Sequence, residues 1–250
     1  MIGFNELGNK GWLGNQMFQY AGLRGIASKN GYDFCIPPED SVKAHNYGLF
    51  KIFKLVGCQN VGYVDGETIS VDSFHFNDEI YKSCPENVNI SGFFQTEKYF
   101  CEIKDEIIKD FEFKKTYNKP FDEYISIHVR RGDYLGYQNH HPVLSIDYYK
   151  KAVSLISEDL PVVVFSDDIQ WCKDNIDFAD YFSTSGTRGE DLYLMTVAKH
   201  NIIANSSFSW WGAWLNQNPE KITVCPKIWF GSAYSHYNMN DIRPKEWIQV

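Results

Sequence analysis

The chain has 250 residues, of which 44% are hydrophobic and 22% are charged, and its formal net charge is −8. This length allows one large domain or two smaller ones, each with a buried core. The negative charge argues against a general binder of nucleic acid or of anionic membranes, because such proteins carry a basic face. No apolar run approaches the roughly 18 residues of a membrane span, and residues 1–6 lack the features of a secretory signal. We therefore expect a cytoplasmic protein.

The cysteine and histidine pattern predicts neither disulfides nor a metal site. The six cysteines are scattered without any C-x-x-C pair, which is typical of reduced thiols in a cytosolic protein. The neighbouring His140 and His141 have no carboxylate at a spacing that would complete a metal site. We therefore expect no bound metal.

The N-terminal half has an irregular pattern. Its clearest elements are a helix over residues 14–28, a strand over 32–36 and a second helix over 97–110. Residues 40–83 show no long period, and the polar stretch 114–120 has the composition of a link between two lobes.

A glycine-rich turn precedes the first of these helices. Gly8, Gly11 and Gly14 are spaced by three, which matches neither the dinucleotide-binding fingerprint nor the P-loop. Glycines at a helix start let backbone amides approach a ligand, but an ordinary turn explains them equally well.

The C-terminal half alternates strands with helices, which predicts a parallel sheet covered by helices. Ser145 is placed to cap the first helix, and Ser206 or Ser207 the last. The predicted helices cover residues 147–156, 169–175, 190–199 and 208–216, and the predicted strands cover 161–165, 202–204 and 222–225.

The most informative segment follows a short apolar strand at residues 124–127. Arg130, Arg131 and Asp133 come where this strand ends and a loop begins, and open α/β sheets bind ligands at that edge. Two adjacent guanidiniums can neutralise a diphosphate through fork-shaped hydrogen bonds. The alternative is a surface ion pair between Arg131 and Asp133.

His128 precedes Arg130 by two residues, so strand alternation puts both side chains on one face of the sheet. That placement can aim the imidazole at a base or a ribose. A buried histidine with satisfied hydrogen bonds is the alternative.

Two further polar pairs follow predicted strands. Asp167 and Asp168 follow the strand at 161–165 and suit acid–base work or contacts to ribose hydroxyls, although we expect Asp168 to cap the next helix. Ser206 and Ser207 open a helix, and their hydroxyls with the free backbone amides can seat a phosphate. The tryptophans of that helix have helical spacing and are expected in the core rather than on a sugar platform: Trp210, Trp211 and Trp214.

Five motifs in order resemble glycosyltransferase family 11, the α-1,2-fucosyltransferases. The similarity runs from about residue 8 to 230, and its motifs are GNQMFQYA at 14–21, GFFQTEKYF at 92–100, HVRRGDY at 128–134, FSDD at 165–168 and SSFSWWG at 206–212.

The resemblance implies an α/β fold of GT-B type, with two Rossmann-like lobes and the donor in the cleft. We expect an acceptor-side lobe over residues 1–118 and a GDP-sugar-binding lobe over 119–250. The implied reaction moves L-fucose from GDP-β-L-fucose to the 2-hydroxyl of a terminal β-galactoside, with inversion and without a required metal or cofactor.

The resemblance also implies roles for residues of the second lobe. Arg130 holds the β-phosphate, Arg131 supports it and His128 lies near the nucleoside. Asp191 matches the acidic residue that reads guanine.

The remaining donor-site candidates come from three motifs. Ser206 and Ser207 match serines on the phosphate and ribose sides, and Asp167 belongs to the donor set. Gly14 and Asn15 match a turn that faces the sugar end of the donor.

The identity of a catalytic base stays open between Asp133 and Glu97. Asp133 can instead serve only to orient Arg131. An inverting transfer needs a group that accepts the acceptor's proton, unless deprotonation comes late in a dissociative transition state.

The chain departs from the family pattern at its start. The segment 4–12 is longer and more polar than the apolar strand and Gly-Gly turn of that family, which bears on the acceptor more than on the donor. Animal members carry a membrane anchor that this chain lacks, so we expect a microbial or viral source. The alternatives are another GDP-sugar transferase with a different acceptor, or a non-catalytic nucleotide- or sugar-binding protein on the same scaffold.

Overall fold

The computed structural model describes residues 1–41, 47–184 and 186–250, which form two compact units. The first unit comprises Met1–Lys115 and Tyr237–Pro244, and the second comprises Thr116–His236 and Lys245–Val250. The polar stretch at 114–120 therefore contains the change of unit. A short segment near the C-terminus also belongs with the first unit, which the sequence pattern did not predict.

The first unit is built on a five-stranded parallel sheet with the strand order β3-β2-β1-β5-β4. Its strands are β1 (Ile2–Gly3), β2 (Phe34–Ile36), β3 (Asn60–Val61), β4 (Thr68–Val71) and β5 (Asn89–Gly92). Its helices are α1 (Leu13–Asn30), α2 (Leu49–Ile52), α3 (Asp78–Ser83) and α4 (Lys104–Asp110). The chain starts at the centre of this sheet and passes first to one side of it and then to the other.

The predicted first helix is α1, which is buried along most of its length. It ends at Gly31, whose left-handed backbone (φ 70°) lets its N–H bond to carbonyls of the last turn. At Gly25 the helix packs so closely that a Cβ would lie 1.7 Å from the carbonyl oxygen of Tyr99. Among the residues described, no helix is both long and apolar enough to cross a bilayer.

The single helix predicted over 97–110 is wrong in its first half. The structure has two 3-10 turns, Glu97–Tyr99 and Cys101–Ile103, before α4 begins. The ring of Tyr99 is buried among other aromatic rings, and its hydroxyl accepts a hydrogen bond from the backbone N–H of Asn77. These anchors hold the backbone in a conformation that a continuous α-helix would not allow.

The second unit is built on a six-stranded parallel sheet with the order β11-β10-β9-β6-β7-β8, as the alternation of strands and helices predicted. Its strands are β6 (Ile125–Val129), β7 (Val162–Ser166), β8 (Tyr181–Phe182), β9 (His200–Ile202), β10 (Thr223–Cys225) and β11 (Ile248–Gln249). Its helices are α5 (Ile146–Val153), α6 (Ile169–Asn175), α7 (Arg188–Thr196) and α8 (Ser207–Trp214).

The strand order places a topological switch between β6 and β9. From β6 the chain moves to β7 and β8 on one side, and it then returns to β9 on the other side of β6. Open α/β sheets bind ligands at the carboxyl ends of the strands where the order reverses. A ligand site in this unit is therefore expected at the segments that follow β6, β7 and β9.

The buried carboxylate of Asp110 ties α1 to α4 in the first unit. It forms an ion pair with Arg24 and accepts hydrogen bonds from the hydroxyl of Tyr20 and the N–H of Gly57, each at 2.7 Å. Removing one partner of a buried ion pair leaves the other charge uncompensated. The pair is therefore expected to matter more than an exposed carboxylate on the same helix.

We predict that Asp110→Ala lowers the free energy of unfolding by about 3 kcal/mol, because Arg24 and two donors lose their acceptor. Asp105→Ala removes an exposed carboxylate from the same helix and is expected to have little effect. Urea unfolding of the two variants provides the measurement. Equal unfolding midpoints for both variants would show that the Asp110 network does not stabilise the fold.

Candidate active site at the carboxyl edge of the second sheet

The arginine loop, residues 130–133, leaves β6 at the switch point. Arg130 is held between two carboxylates: its Nη2 lies 2.7 Å from Asp133 Oδ1, and its Nη1 lies 3.0 Å from Asp167 Oδ2. Its guanidinium also lies 5.3 Å from the ring centroid of Tyr134. The guanidinium is therefore positioned by three side chains.

The alternative interpretation as an ion pair between Arg131 and Asp133 is wrong, and so is the alternative role of Asp133 as the group that orients Arg131. A 3-10 turn, Asp133–Gly136, places the Asp133 carboxylate against the arginine three residues before it. Arg131 instead points to α6, where its Nε donates to Asp168 Oδ2 at 3.1 Å and its guanidinium stacks on Trp171 at 3.7 Å. The two arginines are thus held by different neighbours.

The carboxylate of Asp167 organises the arginine loop. Its Oδ1 accepts the backbone N–H of Arg131 at 2.9 Å, while its Oδ2 pairs with Arg130. Gly132 permits this approach, because a Cβ at residue 132 would lie 2.4 Å from Asp167 Oδ2. Both carboxylate oxygens of Asp167 are therefore bonded to groups of the arginine loop.

Asp168 caps α6, as the sequence predicted. Its side chain accepts the N–H of Trp171, and its own N–H donates to the hydroxyl of Ser166. Since the same carboxylate also receives Arg131, one residue begins the helix and fixes the second arginine.

His128 is buried between the sheet and α8. Its Nδ1 lies 2.9 Å from the hydroxyl of Ser209, and its ring lies 5.6 Å from the ring of Phe208. Burial, and secondarily the charge of Arg130, lowers the pKa of His128 from 6.5 to about 3. His128 is therefore neutral near pH 7 and joins β6 to α8.

The segment after β9 leads into α8, and β9 lies next to β6, the strand that precedes the arginine loop. Ser206, rather than Ser207, is the N-cap: its side chain accepts the N–H of Phe208, and its carbonyl accepts the N–H of Trp210 at 3.0 Å. Ser207 is the first helical residue and is partly exposed. The predicted core role of the tryptophans is confirmed, because all three are buried: Trp210, Trp211 and Trp214.

Asn205 has a structural role that the sequence analysis missed. Its Nδ2 donates to the carbonyls of Pro142 and Trp229, each at 3.0 Å, and its own carbonyl accepts the hydroxyl of Tyr134 at 3.0 Å. Asn205 thereby joins three loops at the carboxyl edge of the sheet. Its side-chain partners are 24 and 63 residues away in the chain, so no local pattern could have revealed them.

Asp191 lies at another part of the same edge. It belongs to α7, which Thr187 caps, and its Oδ1 accepts the hydroxyl of Ser183 at 2.6 Å. Ser183 follows β8, which is two strands from β6 in the sheet. The carboxylate of Asp191 is thus held in place by the residue that directly follows β8.

The remaining candidates lie in the first unit. Gly14 and Asn15 stand in the first turn of α1, where Asn15 Oδ1 accepts a hydrogen bond from Gln95 Nε2 at 2.8 Å. The tight turn before them needs Gly11, which has a φ of 86°. Glu97 is partly exposed and begins a 3-10 turn. Over the described ranges, no group of three or more His, Cys, Asp or Glu side chains could hold a metal ion.

The low pKa of His128 links the stability of the second unit to pH. The neutral form is favoured in the folded state, so its contribution is complete above the ordinary pKa of 6.5 and is lost as the pH falls toward 3. We predict a loss of about 2 kcal/mol in the free energy of unfolding from about pH 6.5 to about pH 5.

His128→Asn serves as the comparison, because an amide keeps a polar partner for Ser209 and does not titrate. We expect urea unfolding at the two pH values to show the additional loss in the natural protein and not in this variant. The same pH slope in both proteins would mean that His128 does not couple folding to protonation.

The model of the family "Glycosyl transferase family 11" matches residues 1–250 of this chain. An α-1,2-colitosyltransferase of Escherichia coli is 30% identical and the match covers 96% of each chain. The O-antigen biosynthesis glycosyltransferase WbnK of Escherichia coli is 38% identical, over 50% of this chain and 44% of that protein. The galactoside 2-alpha-L-fucosyltransferase SEC1 of Bos taurus is 26% identical, over 82% of this chain and 62% of that protein. The chain thus spans less than two thirds of the latter two relatives.

Solved structures of fucosyltransferases share the fold. NodZ α-1,6-fucosyltransferase soaked with GDP-fucose matches with a TM-score of 0.55 and 15% identity, over 86% of this chain and 91% of that one. POFUT1 in complex with GDP matches with a TM-score of 0.54 and 12% identity, over 90% and 97% of the two chains. The predicted fold class is confirmed as the GT-B type, with a parallel α/β sheet in each unit. This chain belongs to glycosyl transferase family 11 and is a glycosyltransferase.

Proposed function

We propose that the chain transfers L-fucose from GDP-β-L-fucose to the 2-hydroxyl of a terminal β-galactoside, with inversion and without a metal. The observation that carries this proposal is the pair Arg130 and Arg131 at the carboxyl end of β6, at the switch point of the second sheet. The activities for which the relatives are named, α-1,2-colitosyl and galactoside 2-α-L-fucosyl transfer, support it.

The arginine loop would bind the diphosphate of the donor. The negative charge on this leaving group grows as the glycosidic bond breaks, so fixed cationic donors stabilise the transition state more than the ground state. Arg130 would contact the β-phosphate, with Arg131 in support. Ser206 and Ser207, with the amides at the start of α8, would receive the phosphate and ribose side.

Other residues of the second unit would complete the donor site. Asp191 would accept hydrogen bonds from guanine, while Ser183 holds its other oxygen. Because Asp167 is already committed to the arginine loop, we assign it to positioning Arg130 rather than to ribose. His128 would also act as a positioning residue, because its hydrogen bond to Ser209 holds α8 in place behind the nucleoside.

The acceptor would contact the first unit. Residues 1–118 would thus serve as the acceptor-side lobe and residues 119–250 as the donor lobe, with Gly14 and Asn15 toward the transferred sugar. Asn15 is held by Gln95, so its amide has a fixed place at the start of α1. The catalytic base would be Asp133 or Glu97.

A second candidate differs in the donor sugar. The relative that matches 96% of the chain is a colitosyltransferase, and colitose lacks the 3-hydroxyl of L-fucose. A GDP-sugar transferase with another donor or acceptor would use the same arginine loop. A non-catalytic nucleotide-binding protein is the remaining alternative, and it would bind GDP without turnover.

The direct test incubates the protein with GDP-fucose, with and without lactose and a panel of β-galactosides, and measures GDP release and product linkage. Acceptor-dependent release with a 1→2 fucosyl product is the expected result. Protection by GDP in a thermal melt without turnover for GDP-fucose or GDP-colitose would contradict an enzymatic role.

We predict that Arg130→Lys loses at least about 100-fold in turnover, since lysine cannot form the two parallel hydrogen bonds of a guanidinium. The fold should survive because the charge is retained. Arg188→Lys changes an exposed arginine at the start of α7 and should leave turnover unchanged. Near-normal turnover in a folded Arg130→Lys protein would remove Arg130 from the diphosphate site.

The assignment of the base is tested with Asp133→Asn and Glu97→Gln, each of which keeps the shape of the side chain and removes its basicity. We expect one of the two variants to lose most of its turnover while GDP protection in a thermal melt persists. If both variants keep normal turnover and GDP binding, neither residue is the base.

A further inference from the structure

A cavity of about 490 Å³ lies at the carboxyl edge of the first sheet. Its lining comes from two segments that follow parallel strands, one after β1 and the other after β3. These lining residues are Asn5, Glu6, Asn9, Tyr63, Val64 and Asp65. β1 is the strand at which the order of this sheet reverses, so the cavity stands where α/β sheets bind ligands.

The walls of the cavity are fixed by hydrogen bonds. The side chain of Asn5 forms two hydrogen bonds with the backbone of Val64. Its Nδ2 donates to the carbonyl at 2.8 Å, and its Oδ1 accepts the N–H at 3.0 Å. Gly3 permits this contact, since a Cβ there would lie 2.6 Å from the side chain of Val64. The segment after β3 is thereby locked to the segment after β1.

The functional groups of the lining are also held in place. Glu6 Oε2 accepts the hydroxyl of Ser91, which belongs to β5, at 2.7 Å. The hydroxyl of Tyr63 lies 2.5 Å from that of Ser41, while 43% of the tyrosine remains exposed. A fixed, exposed aromatic face beside fixed acceptors is arranged for a ligand before the ligand arrives.

The chemistry of the lining suits a neutral ligand rich in hydroxyl groups. Glu6 and Asp65 supply carboxylate acceptors, and Tyr63 supplies an aromatic face on which the apolar face of a sugar ring can pack. Lys10 Nζ lies 4.0 Å from Glu6 Oε2, whereas the lining residues that the structure describes include no lysine or arginine, so an anionic sugar would be repelled by the Asp65 carboxylate. A small set of polar groups beside an aromatic ring is typical of small-ligand sites.

Three of the lining residues, Asn5, Glu6 and Asn9, belong to the segment 4–12 that follows β1. This segment therefore builds one wall of the cavity. The cavity bears on the acceptor, because its lining residues are not among the donor contacts proposed above.

We infer that this cavity is a subsite for a neutral sugar ring of the acceptor, with the ring packed on Tyr63 and its hydroxyls donating to Glu6 and Asp65. The inference rests on the proposed function, because it takes the first unit as the acceptor side. It adds the residues that select the acceptor and predicts discrimination against anionic sugars.

The test uses Tyr63→Ala and Asp65→Asn, with Asp105→Asn as the matched control at an exposed position of α4. We expect the acceptor KM for lactose to rise about tenfold in each of the first two variants and to stay unchanged in the control. The kcat and the KM for GDP-fucose should stay unchanged in all three, since none of these residues is among the donor contacts proposed above.

Tyr63→Phe separates packing from hydrogen bonding. It keeps the aromatic ring and removes only the hydroxyl bonded to Ser41, so its acceptor KM should stay close to that of the natural protein. Urea unfolding checks that each variant is folded. Lactose should also be a better acceptor than sialylated lactose in the natural protein, with a smaller difference in Asp65→Asn.

Direct binding separates this inference from the proposed function. Saturation-transfer NMR with lactose reports binding without turnover, and loss of the signal in Asp65→Asn and Tyr63→Ala but not in Asp105→Asn supports the subsite even if no fucose is transferred. Absence of lactose binding to the natural protein overturns the subsite. An unchanged acceptor KM in both folded variants overturns it as well, although fucosyl transfer itself would stand.

Discussion

The second unit depends on one carboxylate placed against a pair of adjacent arginines. Asp167 binds the backbone N–H of Arg131 through one oxygen and the guanidinium of Arg130 through the other, so main chain and side chain are fixed together. Charge-assisted hydrogen bonds of this kind are shorter and stronger than neutral ones. The contact requires a residue without a Cβ at position 132, which makes Gly132 part of the same constraint. Asp167 therefore fixes the guanidinium of Arg130 and the backbone of Arg131, while Asp168 and Trp171 place the guanidinium of Arg131.

The charge balance around these arginines shows how two guanidiniums are accommodated in an acidic protein. Arg130 and Arg131 each have a carboxylate partner from the segment after β7, and Arg130 has a second one in Asp133. The imidazole two residues before Arg130 is neutral because burial lowers the pKa of His128, so it adds no positive charge to the cluster. The cluster thus has no net positive charge without a ligand, although its guanidiniums retain N–H donors that an anion can use.

The sequence predicted the second unit better than the first. Alternating strand and helix patterns predicted the parallel sheet, and Ser145 and Asp168 were found as caps because capping is a local interaction. In the first unit, β1 and β3 have two residues each, which is too short for any hydrophobic period to indicate. The split of residues 97–110 depends on the burial of Tyr99, which is a tertiary effect. The partners of the two arginines could not be assigned for a similar reason, because a 3-10 turn and a distant carboxylate decide them.

A diphosphate that binds Arg130 as proposed would compete with the two carboxylates that hold the guanidinium, and their settings decide which contact is weakened more easily. The side chain of Asp133 is 49% exposed and is held by its ion pair with Arg130. That of Asp167 is 26% exposed and is also bound to the backbone of Arg131. Displacing Asp167 would break the arginine loop, whereas displacing Asp133 releases a side chain into solvent at small cost. Donor binding would therefore draw Arg130 away from Asp133 while leaving it anchored to Asp167. The same step that completes the diphosphate site would thus leave the Asp133 carboxylate without its ion-pair partner and available to an acceptor hydroxyl.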